Sequence, residues 1–235
     1  MAVESLYVEP EKDAAEVDWP ALECIDVFKI YRSGPVETVA LRGLDVRVEK
    51  GELVAVLGPS GCGKSTLLAL AAGLDETSAG EVRVNGRSLA RLDDDELAAY
   101  RAGDAAIVFQ SDNLWPALSA HENVAVGLRL AGRADAHETA QAALEQFGLG
   151  GRGSHRASAL SGGEQQRVAI AAAWARRADL VLADEPTGEL DEQNERIVLD
   201  ALRELRTTVV VVTHSERVAA AADRVIEMRD GRVAT

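Results

Sequence analysis

The 235-residue sequence is poor in cysteine, in aromatic side chains and in positive charge. Its two cysteines, Cys24 and Cys62, stand far apart in no metal-ligand or redox spacing, which excludes a disulfide framework and a Cys-built metal site. Phe, Trp and Tyr make up only 4% of the residues, so the interior has to be aliphatic; at 47% hydrophobic and 27% charged the chain nevertheless has the composition of a folded protein, and wholesale disorder is excluded. Lys and Arg number 25 against 39 Asp and Glu, a net charge of −14. That balance argues against a nucleic-acid partner and against adsorption to anionic lipid, so a place at a membrane requires a protein partner. A second reading of the acidity, that it serves solubility alone, stands beside the first. No apolar run approaches the roughly 18 to 20 residues that cross a bilayer, and the acidic N-terminus has neither the basic flank nor the apolar stretch of a signal peptide. A cytoplasmic location is therefore expected. The length suits one domain with subdomains rather than two full domains.

Residues 1–20 carry Glu4, Glu9, Glu11, Asp13, Glu16 and Asp18 against the single Lys12, with breakers at Pro10 and Pro20, and are expected to form a loose tail. From Ala21 the pattern predicts strands over 22–31, 44–49 and 52–57; in the second, Leu44, Val46 and Val48 alternate with Asp45 and Arg47. Further strands are predicted over 81–84, 106–109, 180–183 and 208–212, the last two being short apolar runs of the kind found in buried parallel sheets. Residues 111–178 differ, with helical periodicity over 123–130 and 136–147 and a long helix from Gly162. The expected fold class is α/β: a core of residues 21–110 and 179–235 with a helical insertion over 111–178.

Between the apolar strand 53–57 and an apolar helix lies Gly58-Pro59-Ser60-Gly61-Cys62-Gly63-Lys64-Ser65-Thr66, which fits G-x-x-x-x-G-K-[ST] in the structural context that pattern needs. Its glycines free backbone N–H groups to wrap phosphates and the helix N-terminus adds positive potential. Lys64 reaches the β- and γ-phosphates, and Ser65 offers a hydroxyl to Mg²⁺. The run Leu180-Val181-Leu182-Ala183 ends in adjacent carboxylates, Asp184 and Glu185, which strand alternation would send to opposite sides. Asp184 is placed to hold Mg²⁺, and Glu185 to polarise the water that attacks the γ-phosphate.

Leu160-Ser161-Gly162-Gly163-Glu164-Gln165-Gln166-Arg167 closely resembles the signature motif of ABC ATPases. The resemblance spans nearly everything from Leu22 to Val233, and implies a P-loop NTPase (RecA-like) core, an N-terminal antiparallel β subdomain and an inserted α-helical subdomain. It further implies a head-to-tail dimer with a second copy or a homologous ATPase, in which Ser161, Gly162, Gly163 and Glu164 of one subunit close on ATP held by the phosphate loop of the other. Ser161 can cap the long helix, whose free N–H groups suit an anion. By the same resemblance Gln110 contacts Mg²⁺ and the attacking water, Asp191 belongs to the loop Gly188-Glu189-Leu190-Asp191 at the dimer interface, His214 contacts the γ-phosphate and Tyr31 stacks on adenine. A tyrosine packed on the strand surface is the alternative for Tyr31. His121, His137 and His155 are expected at the surface.

Phe109-Gln110-Ser111-Asp112-Asn113-Leu114-Trp115-Pro116, Glu122-Asn123-Val124 and Ala183-Asp184-Glu185-Pro186-Thr187-Gly188 resemble more narrowly the lipoprotein-releasing and macrolide-export subfamily. That resemblance implies an ATPase acting on a transmembrane permease from the inner face of the membrane. Glu189, Ala172 and Ala157 depart from the subfamily pattern, which expects Asn, Arg and Pro. Two alternatives remain: an ABC ATPase of DNA repair or translation, disfavoured by the short stretch between Gln110 and Leu160 and by the acidity, and a cell-division or regulatory complex that uses nucleotide only as a clamp.

Overall fold

The computed structural model describes residues 18–188 and 190–234. The predicted tail up to residue 17 and the Glu189 departure lie outside the described residues.

Two sheets organise the chain. Strands β1 (Leu22–Ser33), β2 (Val36–Val48), β4 (Ala79–Val84) and β5 (Arg87–Ser88) form an antiparallel sheet in the order β2-β1-β4-β5. Strands β3 (Leu53–Leu57), β6 (Ala105–Val108), β7 (Leu180–Asp184), β8 (Thr208–Thr213), β9 (Arg224–Arg229) and β10 (Arg232–Val233) form the second, in the order β10-β9-β3-β8-β7-β6, with every pairing parallel except β9–β10.

The apolar strands of the second sheet are covered on both faces, which is what their unbroken apolar runs require. Along β7, Leu180 and Leu182 face the interior shared with β1, β2 and β4, whereas Val181 and Ala183 face the helical side. In β8, Val210 and Val212 join the first interior, and Val209 and Val211 the second. Helix α1 (Lys64–Ala71) lies in the first layer, burying Leu67, Leu68 and Leu70, with α2 (Asp94–Gly103) beside it through Tyr100. The second layer is built from α3 (Ala120–Leu130), α4 (Ala136–Gln146), α5 (Gly162–Arg176) and α6 (Glu192–Glu204), while α7 (Glu216–Ala221) contributes Val218.

Between β6 and β7 no strand occurs among the described residues, in agreement with the predicted helical insertion. Helix α5 returns the chain to the core through a left-handed C-cap at Arg177. Arg176 ties the two parts: its guanidinium donates to Ala102 O (3.2 Å), Arg101 O and Ala105 O (2.9 Å), the carbonyls at the end of α2 and the start of β6.

Three elements depart from expectation. Strand β2 begins at Val36 rather than Leu44, because its first half is exposed and Gly43 (φ 72) and register shifts opposite β1 break the alternation. Helix α2, stopped at its start by the Asp93–Glu96 capping box, was not separately predicted. Neither was the C-terminal β9–β10 hairpin, whose apolar positions Ile226 and Met228 stand among charged residues.

Candidate active site

An open cleft of about 1160 Å³ lies beyond the C-terminal ends of β3, β7 and β8, where ligands bind in open α/β sheets. Its floor is the loop between β3 and α1. Gly63 sits at the helix N-cap with φ 105, and a Cβ there would lie 2.6 Å from Ala40 O, so the position admits only glycine. Lys64 is buried, and its ammonium donates to Gly58 O (2.8 Å) and Pro59 O (3.1 Å), which folds the side chain back over the loop. Ser60, Gly61, Gly63, Ser65 and Thr66 line the cleft alongside it. Cys62 does not: its thiol is buried against Gly58.

Asp184 and Glu185 line this one cleft, so the expectation that they point to opposite sides is wrong. Strand β7 ends at Asp184, and Glu185 takes a left-handed backbone (φ 45) while its N–H donates to Val212 O (2.9 Å), so alternation does not extend to it. Burial raises the Asp184 carboxyl above its ordinary range, and the neighbouring Glu185 charge adds to this; the Ser65 hydroxyl and the Lys64 charge pull the other way. Glu185 is gripped by His214, with Oε1 2.9 Å from the imidazole Nδ1 and Oε2 accepting from the His214 backbone N–H at 3.2 Å. A carboxylate oriented by an imidazole, one residue from a second carboxylate and across from a buried ammonium, has the parts for general-base chemistry at a bound phosphate.

Gln110 reaches the same cleft from the end of β6. The segment that carries it is fastened by two amide side chains that the sequence reading did not single out. Asn113 bridges Phe109, accepting from its N–H and donating to its carbonyl, both at 2.7 Å. Gln166, buried on α5, donates to Phe109 O (2.9 Å) and Gln110 O (2.5 Å) and accepts from Asn113 at 2.9 Å. Both residues sit inside motifs already recognised, and only their partners in space distinguish them from solvated polar positions.

The remaining candidates lie outside the cleft. Ser161 caps α5: its hydroxyl accepts from the Glu164 N–H, and Glu164 Oε2 accepts from the Ser161 N–H (2.9 Å) and hydroxyl (3.0 Å). Arg152 holds the other oxygen of Glu164 at 3.0 Å, and these interactions keep that carboxyl below the ordinary range, the Ser161 backbone bond foremost. Gly163 lacks room for a side chain because Asn194 of α6 packs on it, 2.6 Å from an ideal Cβ; Gly162 faces Leu190. Asp191 is the N-cap of α6, accepting from the Asn194 N–H at 2.9 Å, and within this subunit it acts as a cap. Tyr31, 41% exposed, donates to Asp75 Oδ2 (2.9 Å) and neighbours the Thr66 hydroxyl, with the Lys29 ammonium 4.9 Å over its ring. It is a half-free aromatic at the edge of the phosphate loop, with Lys29 and Asp75 as unforeseen supports.

The pattern of the family described as "ABC transporter" matches residues 41–188, well over half the chain. The chain belongs to that family. It is 43% identical over 219 residues to the macrolide export ATP-binding/permease protein MacB of Hyphomonas neptunium, covering 91% of this chain and 34% of that protein. A probable syringafactin export ATP-binding/permease protein, SyfD, of Pseudomonas syringae pv. tomato is 44% identical over 221 residues, covering 92% of this chain and 33% of SyfD. The chain thus spans about a third of the length of these curated relatives. Among solved structures, a dimeric post-hydrolysis state of the ATP-binding cassette MJ0796 bound to ADP and Pi superposes with a TM-score of 0.84 at 37% identity, covering 91% of this chain and 97% of that one. The cbiO1 cassette of Clostridium perfringens, part of the transporter complex cbiONQ, gives 0.81 at 26% identity, covering 92% and 87%. The fold class is accordingly the P-loop NTPase fold of ABC cassettes, with its antiparallel β sheet and its added helices.

Proposed function

We propose that this ABC family member binds and hydrolyses ATP, closes on it as a head-to-tail pair, and drives a transmembrane permease of the macrolide-export or lipoprotein-release type from the inner face of the membrane. The observation that carries the reading is the convergence of Lys64, Ser65, Asp184, Glu185 and His214 on one cleft at the ends of three parallel strands. The MJ0796 cassette, dimeric with ADP and Pi, supports the hydrolytic and dimeric parts of the reading. The MacB and SyfD relatives support an export role with a permease, which for this chain has to be supplied beyond the described residues, since none of their helices is long and apolar enough to cross a membrane.

The Ser65 hydroxyl, the Asp184 carboxylate and the Gln110 side-chain oxygen border one cleft and form a hard-oxygen donor set that fits Mg²⁺ retaining several waters. Mg²⁺ held by these residues would supply charge neutralisation to the phosphates. Lys64 exchanges its two carbonyl partners for phosphate oxygens, and the loop amides of Gly61, Gly63, Lys64 and Ser65 hold the phosphates against the N-terminus of α1. Glu185, held by His214, orients water and takes its proton; His214 is left within reach of the γ-phosphate. Tyr31 offers its open face to the adenine. Ser161, Gly162 and Gly163 act across the dimer, where Ser161 has to release Glu164 to meet a γ-phosphate.

Steady-state phosphate release by the native chain and by Lys64→Ala tests the reading. Turnover by the native chain that the substitution removes supports a motor. Nucleotide binding with no turnover, alone or with permease, would indicate a nucleotide clamp instead.

A further inference from the structure

The back of the phosphate loop rests on the C-terminal hairpin. Gly231, in the turn between β9 and β10, donates its N–H to Cys62 O at 3.0 Å, and its own carbonyl accepts from Arg42 N at 2.9 Å. One residue therefore stitches the loop to strand β2, whose neighbouring residues Thr38, Val39 and Ala40 line the cleft. Contact at this junction is close enough to exclude a side chain at two glycine positions. A Cβ on Gly231 (φ 77) would lie 2.6 Å from Ala40 O and 3.0 Å from Leu41 Cα, and one on Gly58 would lie 2.3 Å from Met228 O.

We propose that Gly231 is a positioning residue for the phosphate loop, fixing the direction in which the Gly63 amide is presented to an anion. In a planar trans peptide the N–H points opposite to the C=O. The Cys62 carbonyl is drawn back to the Gly231 N–H, so the N–H of the next residue, Gly63, is turned away from the hairpin, to the side on which Gly63 and Lys64 border the cleft. Gly63 is also the N-cap of α1, so this amide belongs to the free N–H set that an anion at the helix N-terminus uses. Without the Gly231 bond the 62–63 peptide is free to rotate, and the loop's donors no longer converge. The neighbouring contacts on Cys62, an N–H bond to Pro59 O at 3.3 Å and a thiol buried in the core beside Gly58, do not engage its carbonyl.

The inference rests on the cleft being a nucleotide site, and the experiment separates the two. Dissociation constants for a fluorescent ADP analogue are measured for the native chain, Lys64→Ala, Gly231→Ala and Gly132→Ala. Gly132 also has positive φ (73) but nothing within 4 Å of its ideal Cβ, so it reproduces the backbone penalty away from the loop. In Gly231→Ala the added methyl meets backbone atoms that cannot swing aside, the turn withdraws, and binding is expected to weaken on the order of tenfold or more. The loss should appear more strongly in KM than in kcat. Gly132→Ala should bind as the native chain does. If Gly231→Ala lowers the melting point of the nucleotide-free protein more than Gly132→Ala does, a chain ending at Asp230 replaces it, lacking both the donor and the added Cβ; the same loss of affinity is expected. Native affinity in Gly231→Ala or in the shortened chain, or a loss matched by Gly132→Ala, overturns the role of Gly231 while leaving the nucleotide site intact. Failure of the native chain to bind the analogue overturns the site, and the inference with it.

Discussion

Replacing Glu185 by Gln removes one proton acceptor and little else. Gln keeps an oxygen that can accept from the His214 backbone N–H (3.2 Å), and it gives up the charged contact to Nδ1 at 2.9 Å. That contact belongs to an imidazole whose side chain is 68% exposed, so its loss is screened by solvent and the fold should change in stability by less than about 1 kcal/mol. The chemical effect is larger. A positioned general base contributes about 10²–10⁴ in rate, equivalent to about 3–5 kcal/mol of barrier. Phosphate release should therefore fall by that factor, while the melting temperature of the nucleotide-free protein and its affinity for ATP stay close to native. Uncleaved ATP should then hold two copies together, so size-exclusion chromatography is expected to show a dimer with ATP and a monomer with ADP. Native turnover in the variant would refute the assignment of Glu185. Lost turnover accompanied by a large fall in melting temperature would refute the claim that the site, rather than the fold, depends on this carboxylate.

Asp184→Asn should raise the melting temperature of the nucleotide-free protein and abolish the Mg²⁺ dependence of nucleotide binding. The sign follows from the raised carboxyl: between the ordinary Asp value of about 3.9 and the higher folded value the native state holds the extra proton, so native stability falls as pH rises through that window, and calorimetry of the variant should lack this dependence. Gln166→Leu leaves the Phe109 and Gln110 carbonyls without their shared donor; kcat should fall on the order of tenfold with ATP affinity retained, as steady-state kinetics would show. Arg176→Met removes three bonds to the end of α2 and the start of β6, and chemical denaturation should register a loss of about 2–4 kcal/mol.

The parts of the fold written by repetition or by obligatory chemistry could be read from the sequence. The apolar runs 53–57, 180–183 and 208–212 had no alternative to burial, and the Gly-rich loop between a strand and a helix left little choice about its ligand. Elements specified by partners far along the chain were harder to read. The first half of β2 gains its order from β1 and from the C-terminal turn, not from its own alternation. Gln166 and Asn113 look like ordinary helix and loop polar residues until the fold sets them against the carbonyls of Phe109 and Gln110. For Asp191, the resemblance placed it in an interfacial loop, and its position before Glu192–Glu204 gives it a capping task within its own subunit. The opposed-side expectation for Glu185 failed because the two-residue period of a strand ends where the strand does.

The left-handed backbone at Glu185 has a consequence for how this chain would drift. A side chain other than Gly or Asn in that conformation carries a conformational penalty of about 1–2 kcal/mol, so folding alone would favour Gly or Asn at position 185. A library randomised at this codon and sorted only for soluble expression should become enriched in those residues. The same library sorted for ATP turnover should return to Glu. The divergence between the two sorted populations would measure, in allele frequencies, how much stability this position gives up for turnover.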